Sequence, residues 1–429
     1  MKYISTNFKS KSVSFQKAIL KGLAPDGGLY MPENIPLFTK DFFKEERNYH
    51  ELAFEMIKPY IGEEIDNLTL KKMCKSAFNF PITAVNINSN INILELFHGP
   101  TLAFKDFAAR FMARSIQYFI QNKKDQRVVL VATSGDTGSA VANGFYKVDG
   151  IKVYILYPSG RVSKIQEKQL TALGENIRAI EVEGSFDDCQ KIVKTAFLDK
   201  SLKNNIKLSS ANSINIARLL PQSIYYAWIW KKLGCINDII VSVPSGNFGN
   251  ITGGLIAKKM GLPITNFIAS VNANNIFPIY LKHNKYFPKS SISTISNAMD
   301  VGNPSNFSRI KFLYNSNINK IRKDIKSNSI DDIETKNCIF NLYEKFGYLA
   351  DPHTAVGVIS LEKTIKPNQT GVVLSTAHPA KFADIIETVL DTKVDLPKRL
   401  KELLEIKKDS VKIKNNYNNL KSILLDENL

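Results

Sequence analysis

A lysine stands in an unusual setting in the stretch HGPTLAFKDFAAR, residues 98–110. Lys105 lies between Phe104 and Asp106, just beyond a Gly-Pro turn, among neighbours more typical of a core than of a solvated surface. Burial disfavours the ammonium form, and a lysine that is neutral near physiological pH can act as a base or as a nucleophile toward a carbonyl group. One such lysine is a weak indication, because most of them extend the ammonium group to solvent.

The turn SGNFGN at residues 245–250 could hold an anion. Its glycines allow backbone N–H groups to converge on one point, and a helix predicted from Ile251 would add the positive end of its dipole. The turn matches neither the G-x-G-x-x-G dinucleotide pattern nor the G-x-x-x-x-G-K-[ST] nucleotide pattern. It predicts a phosphate site, and the alternative is a plain strand-to-helix turn that uses glycine for its backbone freedom.

The turn SGDTG at residues 134–138 repeats this arrangement. Its donors are backbone groups and the hydroxyls of Ser134 and Thr137, which suit a carboxylate or a phenolate oxygen as well as a phosphate. The alternative is a capping turn in which Asp136 or Thr137 only starts a helix.

A third candidate is ANSINIAR at residues 211–218. Asn212 or Ser213 could cap a helix, and Arg218 could reach back to the same mouth because helical side chains lean toward the N-terminus. A cap, a helix dipole and a guanidinium together suit a phosphate ester. The alternative is a capped helix with a surface arginine.

Lys105 and the three turns point together to one cofactor. Pyridoxal phosphate needs a lysine for its aldehyde and backbone amides for its phosphate, so the sequence predicts pyridoxal 5'-phosphate. Other chemistry has little support: His98, His353 and His378 lie beside Gly or Pro in turns, and no H-x-x-x-H or H-E-x-x-H pair is present. The G-x-S-x-G motif of serine hydrolases is also missing, and we expect no metal site.

The elements that must position these residues follow a repeated pattern of a β-branched run, a polar turn and an amphipathic stretch. The apolar runs are RVVLVAT (127–133), KVYILYP (152–158), DIIVSVP (238–244) and TGVVLST (370–376). Such runs, each followed by a helix, predict an α/β fold with doubly wound, mostly parallel sheets. Ligands bind at the carboxyl ends of such strands, where these turns lie.

We expect three regions along the chain. Residues 1–90 have a PDGG turn and mixed helical stretches and form an N-terminal region, and residues 91–395 carry the repeated pattern in two α/β subdomains. Residues 396–429, rich in Lys and Asn, are expected to form a helix and a solvated basic tail.

The 429-residue chain contains 57 Lys+Arg against 40 Asp+Glu, a formal charge of +17. The basic residues are spread along the chain without a nucleic-acid-recognition pattern, so we expect no nucleic-acid partner. The four cysteines form no C-x-x-C pair, which indicates a reducing compartment. No segment has the composition of a signal peptide or of a membrane span, so we expect a cytoplasmic protein.

Seven ordered motifs give the chain a family resemblance. They are HGPTLAFKDF, ATSGDTGSA, ANSINIARLL, VPSGNFGN, SNAMDVGNPSN, GYLADPHTAVG and STAHPAKF. With the opening segment SFQKAILKGLAPDGGLYMPE, they resemble threonine synthases of the bacterial and fungal type over roughly residues 3–390. That family has the tryptophan-synthase-like fold, called fold type II, and binds pyridoxal phosphate.

The resemblance implies a role for each candidate residue. Lys105 would bind the cofactor aldehyde, with Asp136 near the ring oxygen and Thr376 facing the pyridine nitrogen, where a neutral hydroxyl favours elimination over transamination. The residues implied to hold the cofactor phosphate are Gly246, Asn247, Phe248 and Asn250. Those implied to bind substrate are Ser134 and Thr137 for its carboxylate and Ser213 and Arg218 for its phosphate.

The implied reaction converts O-phospho-L-homoserine and water into L-threonine and phosphate. Lys105, freed by the substrate amine, would remove the α-proton and then a β-proton, after which the γ-phosphate leaves and water adds at the β-carbon. We expect the domains to close on the substrate, because water must be excluded until the elimination is complete. No protein partner is implied.

Two departures from the family pattern and two alternative functions accompany this interpretation. Ala108-Ala109 stand where relatives often have glycines, and Asn250 stands where they often have an aspartate. A dehydratase or a cysteine synthase would share the fold and the lysine, and the Asn-Ser-Ile-Asn-x-x-Arg segment distinguishes them. A non-catalytic RNA- or phosphate-binding protein would account for the charge but not for Lys105. Of the histidines, His98 is the one expected to contact the site, because it lies close to Lys105 in the sequence. Whether His98 or Arg110 faces the substrate stays open.

Overall fold

A computed structural model describes residues 1–120 and 126–428. The strands are β1 (Tyr3–Ser5), β2 (Tyr30–Pro32), β3 (Thr83–Asn86), β4 (Ile91–Glu95), β5 (Arg127–Ala132), β6 (Ile151–Pro158), β7 (Ile177–Glu183), β8 (Leu208–Ser210), β9 (Ile239–Pro244), β10 (Asn266–Val271), β11 (Ile325–Ser329), β12 (Thr370–Ser375) and β13 (Val411–Lys414).

The helices are α1 (Phe15–Lys21), α2 (Lys40–Lys44), α3 (Tyr49–Ile61), α4 (Asn67–Ala77), α5 (Lys105–Phe119), α6 (Asp136–Phe145), α7 (Lys164–Thr171), α8 (Phe186–Leu198), α9 (Lys200–Asn205), α10 (Ile216–Leu219), α11 (Ile224–Lys232), α12 (Gly249–Lys259), α13 (Ile276–His283), α14 (Phe307–Leu313), α15 (Ile318–Asp324), α16 (Asp332–Phe346), α17 (Pro352–Glu362), α18 (Ala383–Leu390), α19 (Lys398–Glu405) and α20 (Tyr417–Asn428). Turns of 3-10 helix lie at Leu220–Ser223, Asn297–Met299 and Pro379–Phe382.

Two sheets carry the turns that the sequence analysis singled out. One has six strands in the order β11-β10-β9-β12-β4-β3, in which only the β3–β4 pair is antiparallel. The other has five parallel strands in the order β13-β7-β6-β5-β8. The predicted α/β fold with doubly wound, mostly parallel sheets is confirmed.

Both faces of the five-stranded sheet are covered, as continuous apolar strands require. Val129 and Val131 of β5 belong to the largest apolar core, which also contains residues of α5 and α6. The alternate residue Leu130 faces a second core that includes Leu420 and Leu424 of α20. The alternation of side chains along a strand therefore divides the interior into two layers.

The C-terminal region differs from its prediction as a helix followed by a solvated tail. Strand β13 pairs in parallel with β7 at the sheet edge, and Ile413 and Leu420 are buried beside it. This strand is difficult to recognise from its sequence, VKIK, because only one side chain of the run is buried and the neighbouring lysines and asparagines are exposed. The tail is therefore part of the sheet and of its core.

The N-terminal region also shares structure with the rest of the chain. Strand β3 lies before residue 90 but pairs with β4 of the six-stranded sheet, and β1 and β2 form a separate antiparallel pair. The predicted boundaries at residues 90 and 395 stay predictions. Within the described ranges, no helix combines the length and the apolar character needed to span a bilayer.

Candidate active site

A cavity of about 570 Å³ opens at the carboxyl ends of the strands, between the two sheets. Strand-to-helix turns converge there, as expected for parallel sheets. The cavity is lined by all of the residues that the sequence analysis assigned to the cofactor or the substrate, namely Lys105, Ser134, Asp136, Thr137, Ser213, Arg218, Gly246, Asn247, Phe248, Asn250 and Thr376. Motifs more than 250 residues apart in sequence thus form one polar cavity.

Lys105 is the first residue of α5, and its position is fixed from both sides. The backbone N–H of Phe104 donates to the carbonyl oxygen of Thr376 over 2.9 Å, which joins the helix start to the end of β12. The buried carboxylate of Asp106 accepts from the backbone N–H of Thr101 over 2.8 Å and from its hydroxyl over 2.6 Å. These contacts hold the loop before α5 and aim Lys105 into the cavity.

The surroundings of Lys105 favour a neutral amine. Burial lowers its pKa to about 8, and the positive charges of Lys381 and Arg218 act in the same direction, whereas Asp136 opposes the shift. With the described residues, Lys105 Nζ makes no hydrogen bond or ion pair, and it lies 5.8 Å from the ring centroid of Phe104. The amine is therefore available to a ligand in the cavity.

Asp136, the first residue of α6, also lines the cavity, and its surroundings favour the ionised carboxylate. Burial raises its pKa, but Lys381, Lys105 and a hydrogen bond from Gln166 outweigh burial and hold the pKa well below its usual range. Its Oδ1 accepts from Gln166 Nε2 over 3.0 Å and lies 2.5 Å from Lys381 Nζ. A carboxylate in this state can orient a hydrogen-bond donor but cannot supply a proton.

The turn before α6 presents free hydroxyl groups. Gly135 has a φ of 138°, and a Cβ there would lie 2.4 Å from the side chain of Gln166, so only glycine fits. Ser134 and Thr137 line the cavity, and their hydroxyls form no hydrogen bond within residues 1–120 and 126–428. The N-terminus of α6 and these hydroxyls can together receive a carboxylate.

The turn after β9 brings backbone N–H groups to the cavity by close packing. Phe248 has a left-handed φ of 59° at the start of α12, and its ring packs 4.7 Å from that of Phe277. A Cβ on Gly246 would lie 2.7 Å from Met299 Cα, so the turn can approach the Asn297–Met299 segment only with glycine at this position. This geometry suits an anion, and the phosphate site at residues 245–250 stays a prediction, called here the anion cradle.

The side chains of the two asparagines in this turn have different hydrogen-bond partners. Asn247 Nδ2 donates to Ser213 Oγ over 2.7 Å, and its Oδ1 accepts from the backbone N–H of Ser305 over 2.6 Å, so its side chain ties neighbouring loops together. Asn250 Oδ1 accepts from the hydroxyls of Tyr225 and Tyr226 over 2.8 and 2.6 Å. Asn250 Nδ2 is buried, has no hydrogen-bond partner in the described part of the chain, and could donate to a ligand.

Arg218 is a buried cation that has no carboxylate partner among the residues that the structure describes. It lies in α10, and its side chain donates to the carbonyl oxygen of Ala211 over 2.6 Å. Its Nε has no hydrogen-bond partner within the same residues. Burial lowers its pKa to about 10, so the guanidinium stays charged at neutral pH. A buried cation without a counter-ion favours an anionic ligand in the cavity.

Sequence reasoning missed Lys381 and His353 as contributors to this site. His353 lines the cavity, its Nδ1 lies 2.7 Å from Asp351 Oδ1, and its Nε2 accepts from the backbone N–H of Ala298 over 3.2 Å. Lys381 lies between Ala380 and Phe382, in the same kind of apolar setting that drew attention to Lys105. That signal could have identified Lys381 from the sequence.

Arg110 and His98 do not line the cavity. Arg110 Nε donates to the carbonyl oxygen of Ala77 over 2.9 Å, which joins α5 to the end of α4. His98 Nε2 lies 2.8 Å from Glu95 Oε2. Both residues support the surroundings of Lys105 without reaching the ligand space.

These residues fit pyridoxal phosphate. The backbone N–H groups at the start of α12 and the buried Asn250 Nδ2 are donors suited to a phosphate, and the turn that carries them has no room for a Cβ at Gly246. Lys105 supplies an amine with a lowered pKa that can react with an aldehyde. Among the described residues, no group of three or more His, Cys, Asp or Glu side chains could hold a metal ion.

Comparison with known families divides the chain into three matched segments. Residues 83–376 match the model of the pyridoxal-phosphate-dependent enzymes. Residues 2–78 match the model of the threonine synthase N terminus, and residues 354–424 match that of the threonine synthase C-terminal region. The matched segments together include all of the cavity residues described above.

Individual relatives agree over the full length. The threonine synthase of Buchnera aphidicola subsp. Baizongia pistaciae is 43% identical and covers 100% of both chains, and that of Escherichia coli is 41% identical over 95% of both. The crystal structure of the Escherichia coli enzyme superimposes with a TM-score of 0.93 at 39% identity over 100% of both chains. The pyridoxal-phosphate-bound enzyme of Brucella melitensis gives 0.95 at 34% identity, covering 100% of this chain and 99% of the other. The chain therefore belongs to the threonine synthase family of pyridoxal-phosphate-dependent enzymes.

Proposed function

We propose that this protein converts O-phospho-L-homoserine and water into L-threonine and phosphate, the last step of threonine biosynthesis. The observation that carries the choice of substrate is Arg218, a buried guanidinium with no carboxylate partner among the described residues, in the same cavity as Lys105, whose pKa is lowered. A phosphorylated amino acid would supply an anionic phosphate to pair with Arg218 and an acidic C–H group from which the Lys105 amine could remove a proton.

The cofactor would lie between the two sheets. The turn Gly246–Asn250, with the backbone N–H groups at the start of α12 and Asn250 Nδ2, would hold its phosphate. Lys105 would bind its aldehyde, Asp136 would face its ring oxygen, and Thr376 would face its pyridine nitrogen. Asn247 and Phe248 would support the same turn through the loop contacts and ring packing described above.

Lys105 would perform the proton transfers. The chemistry that pyridoxal phosphate supplies when bound is delocalisation of the negative charge left by removal of a proton beside the substrate amine. Because burial lowers its pKa to about 8, roughly one tenth of the Lys105 amine is neutral at pH 7, and this fraction can take the α-proton and then a β-proton. The same amine can return a proton when water has added.

The phosphate of the substrate would lie between Arg218 and Ser213. Ser213 Oγ accepts hydrogen bonds from Asn247 Nδ2 over 2.7 Å and from Asn306 Nδ2 over 3.2 Å, which leaves its hydroxyl proton free to donate to the phosphate. The leaving group is thus met by a cation and a neutral donor, which stabilise the charge that develops on it.

Ser134 and Thr137 would receive the substrate carboxylate at the N-terminus of α6. This contact would orient the α-carbon toward Lys105 on the facing wall. A dehydratase or a cysteine synthase would need the carboxylate contact equally but would have no use for a buried arginine at the other end of the substrate.

We also propose a cytoplasmic location. The four cysteines are free, in agreement with a reducing compartment. The proposed partner is the small-molecule substrate alone.

Replacing Lys105 with alanine tests the proposal. Lys105→Ala should abolish release of phosphate and formation of threonine from O-phospho-L-homoserine, and borohydride should no longer fix the cofactor to the chain. Phosphate release, amino-acid analysis and the mass of the reduced protein are the measurements. The exposed Lys398 supplies a control, because Lys398→Ala should leave all three unchanged. Threonine formation by Lys105→Ala at the wild-type rate would refute the assignment.

A further inference from the structure

Lys381 is a second buried lysine near the reacting amine. It lies in the turn Pro379–Phe382 that follows β12, and its side chain has no exposed surface. Its Nζ lies 2.5 Å from Asp136 Oδ1 and donates to the carbonyl oxygen of Thr101 over 3.1 Å. It does not line the cavity, so it acts on a ligand only through its neighbours.

The two carboxylate oxygens of Asp136 differ in their hydrogen bonding. Its Oδ1 is occupied by Lys381 and by Gln166 Nε2, whereas its Oδ2 makes no hydrogen bond with the described residues. Asp136 begins the helix after β5 of the five-stranded sheet, and Lys381 follows β12 of the six-stranded sheet. The ion pair therefore joins the two sheets behind the cavity wall.

The charges that act on Lys105 come from three elements: Asp136 at the start of α6, Lys381 in the turn after β12, and Arg218 in α10. Asp136 is the one carboxylate of this set. Without Lys381, Lys105 would be the remaining cation whose charge acts on Asp136, and an opposite charge in a buried site favours the ammonium form. The amine would then be a poor base at neutral pH.

We propose that Lys381 is a positioning residue that binds the Asp136 carboxylate and thereby reduces the effect of that carboxylate on the Lys105 amine. The proposal rests on the role of Lys105 proposed above. Lys381 would act through the ion pair, and Asp136 would stay negatively charged with Oδ2 directed at the ligand.

The test measures the Lys105 amine directly in the full-length protein freed of cofactor. Trinitrobenzenesulfonate reacts with neutral amines, so the rate of labelling at Lys105, measured by peptide mass spectrometry over a range of pH, gives a midpoint. The midpoint of the wild-type protein should lie at about 8. In Lys381→Met it should rise by about one pH unit or more, so that labelling at pH 8 falls about fivefold or more.

Further variants separate charge from packing. Lys381→Gln keeps a donor for the Thr101 carbonyl and should raise the midpoint as Lys381→Met does, and it serves if the methionine variant does not fold. Lys381→Arg should restore a midpoint near that of the wild type. In Lys381→Met/Asp136→Asn, which lacks both charges, the midpoint should not be raised. Folded Lys381→Gln or Lys381→Met protein with a wild-type midpoint would overturn the proposal.

The outcome is independent of the proposed function. Labelling is scored at Lys105 whether or not the protein forms threonine, and Lys105→Ala identifies the labelled peptide by its loss. A raised midpoint in a protein that forms no threonine would support the ion-pair role and reject the function. An unchanged midpoint in the Lys381 variants of an enzyme that forms threonine would support the proposed function and reject the ion-pair role.

Discussion

Lys105, Arg218 and Asp136 show how burial gives similar side chains different roles. Burial lowers the pKa of Lys105 to about 8, which makes a neutral amine accessible. Burial also lowers the pKa of Arg218, but only to about 10, so the guanidinium stays charged. Asp136 is equally buried and stays ionised because cations surround it. The site therefore holds a base, a fixed cation and a fixed anion within one cavity.

Arg218 should decide the preference for a phosphorylated substrate. Truncating a buried charged partner usually costs about 2–5 kcal/mol, so Arg218→Ala should weaken the binding of O-phospho-L-homoserine by about 30-fold or more. The measurement is the KM for that substrate beside the inhibition constant of unphosphorylated homoserine, which should change little. Equal losses for both compounds would show that Arg218 does not face the phosphate.

His378 should make the fold sensitive to acid. Burial lowers its pKa to about 4, and nearby Arg399 and His98 add to the shift, so the folded state binds fewer protons than the unfolded state, whose histidine pKa is 6.5. The protein should therefore lose stability as the pH falls through 6.5 toward 4, because protonation favours the unfolded chain. The imidazole Nδ1 accepts from the backbone N–H of Ala380.

Urea unfolding at pH 7 and pH 5 checks this prediction. His378→Asn keeps a side-chain acceptor for the Ala380 N–H and should lose less stability between these pH values than the wild type does. The matched control is the exposed His283, for which His283→Gln should leave the wild-type pH dependence unchanged. An identical loss in His378→Asn and wild type would place the acid sensitivity elsewhere.

At the scale of elements, the anion cradle depends on two segments pressed together. The Asn297–Met299 turn lies against Gly246, and the backbone N–H of Ala298 is held by His353, which Asp351 orients. Helix α17 therefore fixes the turn against which the cradle packs. The cradle is assembled from residues that are far apart in sequence.

Gly246→Ala and Gly249→Ala form a matched pair that tests this packing. A Cβ on Gly246 would lie 2.7 Å from Met299 Cα, whereas one on Gly249 would lie 3.5 Å from its nearest neighbour, an ordinary contact. Overpacking of this kind costs about 1–3 kcal/mol, so Gly246→Ala should bind pyridoxal phosphate about tenfold more weakly or worse. Gly249→Ala should stay close to the wild type. The measurement is fluorescence titration of the cofactor-free protein, and equal affinities would contradict the packing argument.

Much of the site could be predicted from sequence because parallel strands place their turns at one edge. The apolar runs at residues 127–133 and 238–244 identified β5 and β9, and their turns supplied the cavity residues. The use of each side chain could not be predicted in the same way. The amide nitrogen and the amide oxygen of Asn247 both form hydrogen bonds with neighbouring loops. These hydrogen bonds depend on the positions of residues 213 and 305 in the folded structure, which the sequence does not show. The contribution of Lys381 could not be predicted for the same reason, because its ion-pair partner, Asp136, follows a strand of the other sheet.

At the scale of the whole molecule, the terminal regions are integral parts of the fold. Arg309 is fully buried and donates to the carbonyl oxygens of Tyr30, Ser213 and Ile214, so it joins the N-terminal region to the loop before α10. At the other end of the chain, α20 and β13 cover one face and one edge of the five-stranded sheet. Sequence composition could not reveal this, because the tail buries only a few apolar side chains among many lysines and asparagines.

Leu420→Ala tests whether the C-terminal helix stabilises the molecule. Leu420 is fully buried in the core shared with β5 and β6, and removal of such a side chain costs about 2–5 kcal/mol. Chemical denaturation should show a loss of that size. The control is Leu68 on α4, which is 64% exposed, and Leu68→Ala should change stability by less than about 0.5 kcal/mol. A small effect at both positions would indicate that the C-terminal tail is solvated, as its composition suggests.

The position of β13 also has a consequence for biosynthesis. Its partner β7 leaves the ribosome long before it, since roughly 230 residues separate Glu183 from Val411, a delay on the order of 10–45 s at about 5–20 residues per second. During that time the β7 edge has no strand to pair with and can recruit another nascent chain. Chaperone demand during translation should therefore be concentrated on this edge, and a slower ribosome should increase aggregation of the newly made protein.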